Sequence, residues 1–124
     1  QHTPYDERII GYGYEDVMLG RDLEHAGIKV LHIDNPVAYT SFEDNDRYLA
    51  KLDEALHTLH CLNSELYGYS PLLRTTESLK RLHLLSLVKW FHLIFGKFEH
   101  RILTGRHPKL FLLQLYKLGA YATL

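Results

Sequence analysis

The chain lacks most of the signals of a secreted or membrane-spanning protein. Among its 124 residues there is a single cysteine, Cys61, which excludes an internal disulfide and favours a reducing cytoplasm. No run of about 18 uninterrupted apolar residues is present, and no signal peptide opens the chain, so a soluble or peripheral protein is expected. Excess positive charge is missing too. The 14 basic residues stand against 15 acidic ones, which argues against nucleic acid as a partner. Met18 is the only methionine and Gln1 is the first residue, so the chain reads as a piece of a longer protein. What is present is 46% hydrophobic and 12% aromatic residues, enough for a modest core.

The charge balance conceals a gradient. Residues 1–46 hold three basic side chains against ten acidic ones, whereas residues 71–124 hold nine basic side chains against two acids, Glu77 and Glu99. Such asymmetry separates a site from an attachment surface.

Gly, Pro, Tyr and acids make residues 1–14 a loop. Leu19, Leu23 and Ala26 then recur at helical spacing, with Gly27 suited to a left-handed C-terminal cap, which predicts a helix over 15–26. Residues 28–34 are β-branched-rich and close on Asn35-Pro36; with 37–42 they read as two short strands at the edge of an α/β layer. The acids Glu43, Asp44 and Asp46 open a helix carrying Leu49, Leu52, Leu56, Leu59 and Leu62, ending near Tyr67-Gly68. After the break at Tyr69-Ser70-Pro71, the spacing predicts one long helix over 77–103, its stripe including Leu84, Leu87, Phe91, Ile94 and Phe98, and then a last helical segment over 110–118.

The most informative string is Gly11-Tyr12-Gly13-Tyr14-Glu15-Asp16, two glycines about a tyrosine and then two acids at a helix start. Helix geometry puts Asp16 on the face of Leu19, Gly20 and Leu23, which is expected to pack inward, and the free amides of the first turn would hold its carboxylate. Two readings of Asp16 remain open on spacing alone, a helix cap and a general base. A dinucleotide loop is disfavoured, because Asp16 stands where a third glycine is needed and two acids repel a pyrophosphate. Neutral hydroxyl-bearing ligands suit the string better, since Tyr12 and Tyr14 can cover a sugar's apolar face.

Together with Tyr5-Asp6-Glu7 and Asn35-Pro36-Val37, this string resembles the C-terminal part of the catalytic domain of bacterial family 2 glycosyltransferases, with Glu15-Asp16 similar to their "ED" motif. The resemblance implies an α/β fragment: residues 1–43 as the acceptor-side end of a Rossmann-like GT-A domain, and residues 44–124 as a mostly α-helical C-terminal extension. It implies inverting transfer of a sugar from a nucleotide-sugar donor to an acceptor hydroxyl, in synthesis of surface polysaccharide. Asp16 would be the catalytic base, Glu15, Tyr12, Gly13 and Tyr14 would bind the acceptor, and Tyr39 would reach a donor phosphate. The implied partners are the donor, a glycan or lipid-linked acceptor and a missing N-terminal half, without which the chain would be inactive. The implied location is cytoplasmic, peripheral at the inner face of the plasma membrane.

Three departures from the family pattern stand out. No Asp-x-Asp motif lies upstream of Gly11, so the divalent Mg or Mn expected in the full-length enzyme has no ligand set here. Ala38-Tyr39-Thr40 occupies the place of a frequent histidine, and Met18 that of a frequent third acid.

Other candidates weigh less. Glu54, His57, His60 and Cys61 share helical spacing but lack the further ligands of a closed zinc site, and His32 and Asp34 have no serine to complete a triad. Cys61, set among leucines, reads as a buried apolar residue. The basic tail, with Trp90 in its apolar stripe, reads either as a helix against the missing half or as one lying on an anionic membrane surface. The rival to the enzyme is thus a non-catalytic helical interaction or membrane-surface module.

Overall fold

The computed structural model describes residue 9, residues 11–38, residue 40 and residues 42–124. Within them the chain forms six helices: α1 (Glu15–His25), α2 (Asn45–Cys61), α3 (Asn63–Leu66), α4 (Pro71–Arg81), α5 (Leu85–Leu103) and α6 (Leu110–Thr123).

Local chemistry accounts for most of their ends. Gly27, at φ 67°, terminates α1 in a Schellman motif: its amide donates to the Glu24 carbonyl, and the Ile28 amide to that of Leu23. Asp44 caps α2 by accepting from the Arg47 amide at 2.8 Å. Ser70 caps α4, with Pro71 in the first turn, where its missing N–H is not needed.

The helix expected over 77–103 is two helices. His83 adopts φ 58°, its amide donates to the Lys80 carbonyl, and the Leu84 amide donates to Leu79, which is the same Schellman geometry without a glycine. Histidine tolerates this region better than most residues but carries no breaker signal, so the periodicity runs straight through the break.

The expected α/β fragment of a Rossmann-like GT-A domain is overturned, because the described residues are helical and contain no strand. Residues 28–38 carry the β-branched pattern, yet Leu31 is 83% and Val37 86% exposed. A strand exists through its ladder of hydrogen bonds to a neighbour, so β propensity without a paired strand leaves irregular chain.

The core has two parts that meet at Ala120. Met18 of α1 joins Leu56, Leu59, Leu62, Leu66, Leu73 and Tyr121, so α1 shares a core with α2, α3, α4 and α6. The other part is Leu49, Leu103 and Tyr116, with Leu52, Leu112 and Leu113 against it. Burial of each such leucine contributes about 1.5–3 kcal/mol.

α5 is inverted with respect to the apolar stripe read from its sequence. His92, Gly96, Glu99 and Leu103 recur at i, i+4, i+7 and i+11 and face α6, while Leu87, Trp90, Ile94 and Phe98 face outward. Glu99 is 1% exposed and binds the His92 imidazole through Oε2 at 2.7 Å. The His92 ring stands edge-on to Tyr116, whose hydroxyl donates to both carboxylate oxygens of Asp53 at 3.0 Å. A chain of polar contacts therefore ties α2, α6 and α5 together. Gly119 permits the crossing, since a Cβ there would lie 2.5 Å from the His92 Cβ. Burial raises the Tyr116 phenol pKa, and the Asp53 charge raises it further.

Removing one member of this pair leaves the other buried without compensation. Urea denaturation of His92→Leu should show a loss of about 3–5 kcal/mol, and the double variant His92→Leu/Glu99→Leu a smaller one. A double-variant loss equal to the sum of the losses in His92→Leu and Glu99→Leu measured singly would show that the pair is not coupled.

Candidate functional site

The loop ahead of α1 is held on α2 by four contacts. The Tyr12 amide donates to Glu54 Oε1 at 2.9 Å, and the Thr58 hydroxyl donates to the Tyr12 carbonyl at 3.1 Å. The Lys51 ammonium sits 5.2 Å from the centre of the Tyr12 ring, while also pairing with Glu43. Gly13, at φ 93°, lies so close to α2 that a Cβ would stand 2.6 Å from the Ala55 Cβ. The two glycines thus serve the approach of the loop to a helix. Tyr14 follows at φ 69°, turning the chain into α1 as its N-cap residue.

α1 is anchored at its far end as well. The half-buried Arg21 guanidinium pairs with Glu65 of α3 at 2.9 Å and with Asp22, contacts that raise its pKa, Glu65 foremost. The Tyr69 hydroxyl donates to Glu24 at 2.8 Å. The inward face of α1 is therefore Tyr14, Val17, Met18 and Arg21.

That registration corrects the expected placement of Asp16. Asp16 and Glu15 are both exposed, Asp16 on the side of the helix opposite buried Met18, and Asp16 Oδ1 accepts the Val17 amide at 2.8 Å. Met18, 1% exposed, sits in the core between the helices, a place that suits an apolar side chain. Beside the acids, Tyr14 and Val17 border a cleft of about 590 Å³ whose other walls include Leu52, Tyr69, Gln114 and Lys117. Burial raises the Tyr14 phenol pKa; a hydrogen bond with Ser70 opposes this, and the Asp16 charge adds to it.

Of the residues singled out from sequence, Tyr12, Gly13, Tyr14, Glu15 and Asp16 lie together, with Tyr12 half exposed. Tyr39 and Tyr5-Asp6-Glu7 lie outside the described residues. Sequence reasoning missed Lys51, Ala55 and Thr58 as supports of the loop, and weighed Glu54 only as a metal ligand. Their shared signal is an i, i+3, i+4, i+7 row on α2 that is polar and small rather than apolar. His60 packs its ring against Tyr121 at 5.7 Å, and Cys61 is exposed rather than buried. Among the described residues no three His, Cys, Asp or Glu side chains are grouped to hold a metal ion.

Compared with known protein families, curated proteins and solved structures, the chain finds no match.

The Glu54 carboxylate is the acceptor for the Tyr12 amide, so Glu54→Ala should speed hydrogen exchange at that amide by tenfold or more while leaving α2 helical. Gly13→Ala should lower stability by about 2–4 kcal/mol in urea denaturation, combining left-handed strain with the clash at Ala55. Unchanged Tyr12 exchange in Glu54→Ala would show that the loop is held by other contacts.

Proposed function

We propose that this chain supplies the catalytic base and the acceptor side of an inverting family 2 glycosyltransferase acting in surface polysaccharide synthesis. It would work with a nucleotide-binding unit outside these residues, at the cytoplasmic face of the membrane, on a glycan or lipid-linked acceptor. The observation that carries this reading is the clamped Gly-Tyr-Gly-Tyr loop: fixed to α2 from below, it sets Glu15 and Asp16 at the exposed start of α1, beside an open cleft.

An acceptor hydroxyl is a weak nucleophile until a base begins to take its proton. In the proposed step Asp16 accepts that proton as the acceptor oxygen attacks the anomeric carbon. The bond from that carbon to the donor diphosphate breaks, and the nucleoside diphosphate leaves with the electron pair. Glu15 accepts a hydrogen bond from another acceptor hydroxyl, and Tyr12 and Tyr14 offer ring faces to the sugar. Tyr39 would donate to a donor phosphate. The family's metal has no ligand set among the described residues, and no step is assigned to it.

Because a positioned base contributes roughly 10²–10⁴ in rate, Asp16→Asn should reduce sugar transfer in the complete enzyme by that factor while donor affinity and thermal stability stay unchanged. Transfer of radiolabelled sugar, calorimetric donor titration and thermal melts read the three quantities. Retained transfer in Asp16→Asn, or a matching loss of stability, would remove the basis of the proposal.

A further inference from the structure

α5 places its buried and exposed faces the wrong way round for a helix packed only within this chain. Its inward side carries the His92–Glu99 pair, while Leu87, Trp90, Ile94 and Phe98 at i, i+3, i+7 and i+11 are exposed, Trp90 by 59% and Phe98 by 62%. A continuous apolar stripe on the solvent side marks an interaction surface.

The surrounding charge indicates what covers it. Lys89, Lys97 and Arg101 are exposed on the same helix, and its single acid, Glu99, is sequestered against His92. From residue 80 to residue 109 there are seven basic side chains and no exposed acid. At 19 residues α5 is about 28 Å long, and no helix among the described residues is long and apolar enough to cross a membrane. A helix with Trp, Phe and Leu on one side and Lys and Arg along its flanks is suited to lie in a lipid interface, its apolar side among the acyl chains and its cations at the headgroups. A second copy fits poorly, because α5 carries exposed cations and no exposed acid to pair with them across a symmetric contact.

We infer that the outward face of α5 docks on an anionic lipid surface, with Leu87, Trp90, Ile94 and Phe98 inserted and Lys97 and Arg101 on headgroup phosphates or carboxylates. This rests on α5 alone and is independent of sugar transfer, so each reading can fail without the other. With the His92–Glu99 pair on the inward side of α5, the stripe lies on the outward side.

Trp90 is the only tryptophan and reports directly. With the full chain and phosphatidylcholine vesicles containing phosphatidylserine, Trp90 emission should shift to the blue and be quenched by brominated acyl chains, and the protein should co-sediment, less so at high salt. Lys97→Gln/Arg101→Gln should weaken co-sedimentation roughly 30-fold. Ile94→Asn/Phe98→Asn should lose the blue shift while keeping the same circular dichroism spectrum. Absence of co-sedimentation with phosphatidylserine vesicles overturns the inference, as does equal binding to pure phosphatidylcholine. A concentration-dependent blue shift without lipid overturns it too, in favour of a second copy.

Discussion

Packing of α5 on α6 and α2 depends on His92, which carries its own-helix partner Glu99 into the interior and meets Tyr116 and Gly119 across the interface. A carboxylate removed from water is tolerable only beside a hydrogen-bonding partner, and the imidazole about two turns earlier provides it. That bond lies within α5 and can form at any rotation of the helix; α5 is turned so that the pair faces α6. The same rotation brings His92 against Gly119 and Tyr116, and Tyr116 in turn reaches Asp53 on α2. Three helices are thus oriented by polar contacts inside an otherwise leucine-rich core, and the apolar stripe of α5 faces outward as a consequence.

A second constraint governs the other end of the molecule. α2 presents Lys51, Glu54, Ala55 and Thr58 as a row that is polar and small, and the Gly-Tyr-Gly-Tyr loop lies along it. The glycines matter because backbone can approach backbone there, and Gly13 holds a left-handed conformation that a side chain would strain. The acids that follow are exposed because Met18 and Val17, adjacent to them in sequence, occupy the core. Clamping of the loop and exposure of the acids have one cause, the seating of α1 and its leading loop on α2, α3 and α4.

Local chemistry was legible in the sequence wherever it is local. Gly27 announced the end of α1 and Asp44 the start of α2, whereas Ser70-Pro71, read only as a break, is the cap and first turn of a helix that the periodicity had begun at residue 77. His83 gave no such notice, because its left-handed conformation is tolerated by histidine rather than advertised by it. The strands expected over 28–34 and 37–42 failed for a related reason. Their propensity is a preference for a pleated surface, and that surface requires a paired neighbour.

Legible from the residues alone were the helical character of most segments, the caps at Gly27 and Asp44, the apolar stripe of α5, the division of charge along the chain, and a glycine-tyrosine loop leading into two acids. These follow from interactions between residues within a few positions of one another. Which face of α5 turns inward, whether the β-branched segment finds a ladder, and that Asp16 points to solvent while Met18 does not were decided only in the tertiary structure. Each depends on a partner distant in sequence, Tyr116 and Gly119 for α5 and Leu56 and Tyr121 for α1, and spacing along one helix carries no information about what the opposite helix presents.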